Sequence, residues 1–155
     1  MAGTVDSRLA ELGLEIPEAS APLANYVAWV RSGNLVTVSG QITLQGGKPQ
    51  YIGKLGAELS LEEGQAAAKL CAINIIAQLR QAAEGDLDRV TRILRLGGFV
   101  NSTPDFVQQP KVIDAASDLM VAVFADKGRH SRAAVSVNSL PLGVAVEIDC
   151  LVEVA

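Results

Sequence analysis

The sequence contains little of what metal, redox and membrane proteins usually require. It has one histidine, two cysteines and only 4% aromatic residues, and no Cys-x-x-Cys or His-x-x-x-His spacing indicates a metal site. No stretch reaches the roughly 18 uninterrupted apolar residues of a membrane span. The N-terminus lacks the basic and then apolar pattern of a secretion signal. We therefore expect a cytoplasmic protein that uses no metal and no cofactor and does not bind membranes.

Concentrated positive charge is also absent. The formal net charge is −4 and the pI is about 5.0, and the 13 Lys and Arg residues are dispersed along the chain. A broad electrostatic surface for nucleic acid is therefore not expected. Cys71 and Cys150 lie inside apolar runs, where buried reduced thiols are the main expectation and a disulfide or a reactive thiol is the alternative.

What the chain does have is apolar sequence with clear periodicity. Apolar residues make up 49% of its 155 residues, which is enough for one domain with a sizeable core. Helical spacing predicts a short amphipathic helix at 4–14, a helix at 61–84 and another at about 110–125. Ser60-x-x-Glu63 has the pattern of a capping box at the start of the second helix.

Runs that favour β-structure separate these helices. The predicted strands cover residues 26–31, 35–42, 90–100, 131–138 and 144–154. This order predicts an α+β fold, a two-layer sandwich in which two helices cover one face of a mixed sheet. The other face of the sheet would then need protection, and we expect oligomerisation to bury it.

Each of the last two predicted strands has one face that carries charged residues. If they pair across a turn at 139–144, Arg132, Glu147 and Asp149 lie on one face. Arg132 and Glu147 would still be roughly 13 Å apart along the ladder at the strand rise per residue. They would meet through a ligand and water or across a subunit boundary. Alternatively, Arg132 forms a structural ion pair with Asp149 or Glu147.

The same segment resembles a known family. Arg132-x-x-Val-x-Val-x-x-Leu-Pro-x-Gly-Val-x-Val-Glu147-Ile is similar to the C-terminal signature of the Rid family, also called the YjgF type and formerly labelled endoribonuclease L-PSP. Tyr26-Val27 and Val38-Ser39-Gly40-Gln41 resemble the N-terminal strands of that family. The resemblance covers about residues 20–155. It implies a single Rid-type domain over 1–155, with an N-terminal helical extension at about 1–20.

The resemblance implies a chorismate-mutase-like fold, a homotrimer with clefts between subunits, and a small 2-imino or 2-oxo acid as ligand. The implied activity is hydrolytic deamination of reactive 2-imino or 2-enamino acids to 2-oxo acids and ammonia. By the same resemblance, Arg132 binds the substrate carboxylate and Glu147 helps to place the attacking water. Tyr26, Ser39 and Gly40 would line the cleft.

The sequence departs from the family at two positions and leaves other functions open. Ala134 stands where many relatives carry cysteine. Asp114 stands where many relatives carry asparagine, and the carboxylate of Asp114 could repel an anionic substrate. A non-catalytic trimer that binds a small carboxylate metabolite or a partner protein is the main alternative. Ribonuclease activity is a third, disfavoured by the net charge. Arg129 and His130 read as solvated residues after a helix, with a general base role for His130 as the alternative.

Overall fold

The chain folds as helices packed on a mixed β-sheet, in a computed structural model that describes residues 3–22 and 24–155. Its α-helices are α1 (Thr4–Glu11), α2 (Leu61–Ala82) and α3 (Gln109–Phe124). Its strands are β1 (Trp29–Ser32), β2 (Leu35–Ile42), β3 (Leu44–Gln45), β4 (Lys48–Pro49), β5 (Val90–Asn101), β6 (Ser131–Val137) and β7 (Val146–Val154). Among the described residues, no helix has the length and apolar character needed to cross a membrane.

The main sheet has the strand order β1-β2-β7-β5-β6, and β3 pairs with β4 in a separate small hairpin. Strands β5 and β6 are parallel, whereas β1–β2, β2–β7 and β7–β5 are antiparallel. Helices α2 and α3 contribute apolar side chains to the same core as the sheet. The predicted α+β class, with helices on one face of a mixed sheet, is confirmed.

The predicted pairing of the last two strands is wrong. Strand β5 lies between β6 and β7, so that Leu96 is opposite Arg132 on one side and Cys150 on the other. The physical reason is that α3 connects β5 to β6 and supplies the long crossover that a parallel pair needs. The segment 138–145 then passes the end of β5 to reach its far side.

Local sequence signals explain how the two long helices are placed. The amide of Glu63 donates to Ser60 Oγ at 3.2 Å, and the amide of Ser60 donates to Glu63 Oε2 at 2.7 Å, which confirms the capping box of α2. Gly98 allows α3 to approach β5 closely, because a Cβ at this position would lie 2.7 Å from Cγ1 of Ile113. A larger residue would therefore push α3 away from the sheet.

The sheet face opposite the helices carries apolar side chains that the chain itself does not cover. Val30 is 55% exposed, Leu35 45% and Val135 47%. Leu35 adjoins the buried Val36, so that the two side chains point to opposite faces of the sheet, as period-2 alternation requires. Scattered apolar residues are normal on a surface, but an uncovered sheet face carrying several of them is typical of an interaction surface. Its burial by oligomerisation remains a prediction.

Helix α1 is held to the domain by a distant carboxylate rather than by its own N-cap. Gly3 provides no side-chain cap, and the carboxylate of Asp88 instead accepts the amide of Thr4 at 2.7 Å and that of Val5 at 2.9 Å. These bonds satisfy two otherwise unpaired N–H groups of the first turn. The backbone amide of Val5 is the main cause that holds the pKa of Asp88 below its usual range. Residues 1 and 2 of the predicted N-terminal extension lie outside the described residues.

We predict that Asp88→Asn lowers the free energy of unfolding by about 1 kcal/mol, the usual cost of losing a helix cap. The variant keeps one acceptor oxygen but turns an amide group toward a backbone N–H. Because the folded state lowers the pKa of Asp88, its contribution is present above the ordinary carboxyl pKa. That contribution is lost as the pH falls through the lowered value. Denaturant unfolding at pH 7 and at acid pH measures this, with the exposed turn variant Asp105→Asn as control. A uniform difference at all pH values would contradict the prediction.

Candidate functional site

A cavity of about 100 Å³ opens beside β2 and the connector that follows α1. Tyr26, Ser39, Gly40 and Glu147 line it, so four of the five site residues predicted from the sequence lie together. Residues 20–22 of the connector form another part of the wall. The volume exceeds what a single water molecule needs, and both polar and apolar residues line the cavity. These features suit a small, partly polar ligand.

A β-bulge presents Ser39 and Gly40 to this cavity. The β2–β7 ladder pairs Val38 with Cys150 and then Gln41 with Ile148, so that two residues of β2 face one residue of β7. Bulges interrupt the ladder and redirect side chains, which is why they recur beside functional sites. The hydroxyl of Ser39 donates to the carbonyl of Val27 at 2.8 Å, and this bond ties the bulge to the segment that carries Tyr26.

The carboxylate of Glu147 lies directly against Gly40. A Cβ on residue 40 would lie 2.9 Å from Cδ of Glu147 and closer still to Oε1. A larger residue at position 40 would therefore displace this carboxylate from the bulge. None of the ion pairs in the described part of the chain involves Glu147.

The surroundings of Glu147 favour its protonated form. Partial burial is the main cause that raises its pKa, and the negative charge of Asp149 adds to the effect. A raised pKa brings a carboxylate closer to neutral pH, where it can exchange protons during a reaction. An unpaired carboxylate in a cavity, with its pKa raised by burial, is typical of functional sites.

Asn74 also lines the cavity, and the site prediction omitted it. Its side-chain amide donates to the carbonyls of Ile42 and Leu44, both at 3.0 Å, and thereby joins α2 to the end of β2. Asn74 is buried within the apolar stripe of α2. A polar residue on an apolar helix face is unusual, and this was the signal in the sequence that could have identified it.

Arg132 does not reach this cavity. It lies on the edge strand β6, and its Nη1 donates to Oδ1 of Asp114 at 2.9 Å and to Oγ of Ser117 at 3.1 Å, both on α3. Its side chain is only 22% exposed, against 53% for Asp114. The predicted ion pair of Arg132 with Asp149 or Glu147 does not form within one chain. Oδ1 of Asp149 instead lies 3.6 Å from Nη1 of Arg95, and Glu147 forms no ion pair with any described residue.

A chain of hydrogen bonds fixes the Arg132 side chain. Ser117 Oγ is 2.8 Å from Nε2 of His130, and Nδ1 of His130 is 2.6 Å from the carbonyl oxygen of Gly128. A carbonyl can only accept, so Nδ1 of His130 carries a proton, and Ser117 Oγ joins the ring to Arg132. His130 is thus a half-buried member of this network rather than the solvated residue that we expected. The sequence offered no signal for Ser117.

Arg132 and Glu147 therefore do not share a face, and that prediction is wrong. Arg132 points toward α3, whereas Glu147 lies on the opposite face of the sheet from its buried neighbours Val146 and Ile148. Strand β5 separates β6 from β7, which places the two backbones about 10 Å apart at the usual strand spacing. Within one chain, Arg132 and the residues around the Glu147 cavity are therefore two separate groups.

Neither cysteine is placed to act as a reactive thiol. Cys71 and Cys150 are free and buried, and burial raises the pKa of both thiols. They are therefore protonated at neutral pH and unsuited to nucleophilic work. Among residues 3–22 and 24–155, no group of three or more His, Cys, Asp or Glu side chains is placed to hold a metal ion.

Comparisons with known proteins agree with this fold. The chain is 49% identical over 152 residues to Protein TCP17 of Trypanosoma cruzi, covering 97% of this chain and 94% of that protein. A crystal structure of Atu1372 from Agrobacterium tumefaciens superposes with a TM-score of 0.92 at 46% identity, covering 97% of this chain and 92% of that one. A crystal structure of a "putative endoribonuclease" from Shewanella oneidensis MR-1 superposes with a TM-score of 0.94 at 39% identity. The match covers 98% of this chain and 100% of that one.

The family assignment rests on nearly the full length of the chain. Residues 6–154 match the family model described as "YjgF/chorismate_mutase-like, putative endoribonuclease". The family predicted from the segment between Arg132 and Glu147 is thereby confirmed, as is the chorismate-mutase-like fold. The chain belongs to the YjgF/chorismate-mutase-like family.

Proposed function

We propose that this protein hydrolyses reactive 2-imino and 2-enamino acids to 2-oxo acids and ammonia. In the protonated imine, water adds to the carbon of the C=N bond and gives a tetrahedral carbinolamine. The C–N bond then breaks as the C=O bond forms, and the leaving nitrogen departs with the displaced protons as ammonium. The reaction consumes one water and needs no oxidant, metal or cofactor.

The observation that carries this proposal is the environment of Glu147. Its half-buried carboxylate has no ion-pair partner within residues 3–22 and 24–155, borders a cavity and has a raised pKa. Such a group can orient a water molecule, accept its proton and return that proton to the leaving nitrogen. Tyr26, Ser39 and Gly40 shape the space in which the water and a small substrate would lie. Placement of two small reactants supplies much of the rate enhancement in reactions of this kind.

Arg132 is suited to hold the substrate carboxylate. In the described part of the chain its side-chain hydrogen bonds use Nη1 alone, which leaves the edge formed by Nε and Nη2 for a ligand. That edge presents two parallel N–H donors, the geometry that a planar carboxylate matches in a bidentate pair. The network through Ser117 and His130 would keep the guanidinium in place while the ligand binds.

A ring of identical chains would join the two halves of the site. Each chain offers Arg132 at the β6 edge and the Glu147 cavity near the other side of the sheet. If each chain contacts the next in the same head-to-tail way and the ring closes, Arg132 of one chain lies against the Glu147 cavity of its neighbour at every interface. In the homotrimer that we propose, the exposed sheet face with Val30, Leu35 and Val135 would be covered. The clefts between subunits would then be the active sites.

A non-catalytic trimer that binds a small carboxylate metabolite or a partner protein is the second candidate. The ion pair between Arg132 and Asp114 favours this candidate, because it gives Arg132 a role that requires no reaction. Both candidates need Arg132. Only the deaminase needs Glu147 for its chemistry.

We predict that the purified protein accelerates ammonia release from freshly generated 2-iminopropanoate, and that Arg132→Ala lowers kcat/KM about 100-fold or more, as expected for a lost bidentate ionic hydrogen bond. Arg132→Lys should recover only a small part, because an ammonium lacks the planar fork. Lys69→Ala, at an exposed position of α2, is the control. A wild-type rate equal to that of buffer, together with binding of 2-oxobutanoate, would instead support the non-catalytic candidate.

We predict that Glu147→Gln lowers turnover by about 100-fold or more, the usual contribution of a general base. The same substitution should raise stability at neutral pH. Since the folded state raises the pKa of Glu147, wild-type stability is lost as the pH rises from the ordinary carboxyl pKa through the raised value. The melting temperatures of the wild type and of Glu147→Gln should therefore agree near pH 3.5, and the variant should melt at a higher temperature at pH 7.5. The exposed connector variant Glu18→Gln is the control, and equal melting temperatures at both pH values would contradict the expected cost of ionisation.

We predict that Arg132→Ala and Glu147→Gln subunits complement each other in mixed trimers. A cleft that takes Arg132 from one variant and Glu147 from the other is intact. Random mixing at equal amounts makes about a quarter of all clefts intact in a ring of heterologous interfaces. The mixture, refolded together, should regain about that fraction of wild-type activity, while each variant refolded alone stays inactive. No recovery in mixtures that sediment as trimers would rule out a site between subunits.

A further inference from the structure

Asp114 changes the charge that a ligand of Arg132 encounters. The guanidinium carries one positive charge, and the carboxylate of Asp114 already lies 2.9 Å from its Nη1. A ligand carboxylate on the Nε and Nη2 edge would be a second anion beside the same cation. The local sum of charges would then be −1, unless the ligand itself carries a positive group.

This pairing is built into the fold rather than being an incidental surface contact. Nη1 of Arg132 bonds to Ser117 as well as to Asp114, and Ser117 continues to His130. Asp114 and Ser117 lie three residues apart on α3 and therefore face the same side of that helix. Arg132 is mostly buried against them. The guanidinium consequently stays close to Asp114 in any complex that leaves α3 in place.

We infer that Asp114 determines specificity at the proposed site, by selecting ligands that carry a cationic nitrogen beside their carboxylate over plain carboxylates. The inference rests on the proposed function for the identity of the substrate. A protonated 2-imino acid has no net charge and restores neutrality around Arg132. The 2-oxo acid product is an anion without that cation, so the same carboxylate repels it. Asp114 would thus favour substrate over product and hasten product release.

Two ligands with one carbon skeleton test the inference. 2-Aminobutanoate is a zwitterion and 2-oxobutanoate an anion, so calorimetric titration of each isolates the effect of the nitrogen charge. The measured quantity is the ratio of Kd for 2-oxobutanoate to Kd for 2-aminobutanoate. In Asp114→Asn this ratio should fall about fivefold, the size expected from a half-exposed charge. The change should come chiefly from tighter binding of the anion, and it should shrink at high salt.

Three matched variants separate specificity from structure. Asp114→Glu keeps the charge and should leave the ratio close to that of the wild type. Asp118→Asn removes a carboxylate from an exposed position one turn further along α3 and should also leave the ratio unchanged. A merely structural role for Asp114 would weaken both ligands equally in Asp114→Asn. That result, a similar change in Asp118→Asn, or a wild-type protein that binds neither ligand would overturn the inference.

The proposed reaction is judged by a separate measurement. Ammonia release from an imino acid reports on the deaminase, whereas the ratio of dissociation constants reports on Asp114. A shifted ratio without ammonia release would reject the reaction and keep the selective binding site. Ammonia release with an unchanged ratio would keep the reaction and reject the role of Asp114.

Discussion

Strand β5 runs between β6 and β7, and this position determines where the chemically useful side chains lie. Its parallel pairing with β6 requires the α3 crossover, which brings Asp114 and Ser117 over Arg132. Its antiparallel pairing with β7 leaves Glu147 facing away from the helices and against the glycine of the β2 bulge. A hairpin of β6 and β7 would have placed Arg132 and Glu147 on one surface. The inserted strand separates them, and in our proposal a neighbouring chain supplies the missing half.

Three carboxylates show how the fold assigns different roles to one chemical group. Asp88 accepts two backbone amides at the start of α1, and these bonds stabilise its charged form. Glu147 has no ion-pair partner among the described residues and is partly buried near Asp149, so its charged form is disfavoured. Asp114 pairs with a guanidinium that a hydrogen-bonded network holds in place. The first carboxylate supports the structure. In our proposals the second transfers protons and the third tunes the charge at Arg132.

Much of the fold could be predicted from the sequence, because its determinants are local. Apolar periodicity identified α1, α2 and α3, and the capping box placed the start of α2 at Ser60. The close approach at Gly98 agrees with the paired glycines of β5. The cavity residues Tyr26, Ser39, Gly40 and Glu147 could be named because short motifs resembled those of a family, and the chain brings them together. Asn74 was missed although its polar side chain interrupts an apolar helix face, and Ser117 was missed because its role comes entirely from partners distant in the sequence.

The sequence by itself determined the class of fold, the family and the residue types available for chemistry, since periodicity, capping and motifs are properties of neighbouring residues. Only the tertiary structure decided which side chains meet. It placed Asp114 on Arg132 across 18 positions of sequence and Glu147 against Gly40, and it put the two halves on opposite faces of the sheet. Strand order causes these differences. It depends on which long-range pairings bury the most apolar surface, and that quantity belongs to the whole chain rather than to any segment.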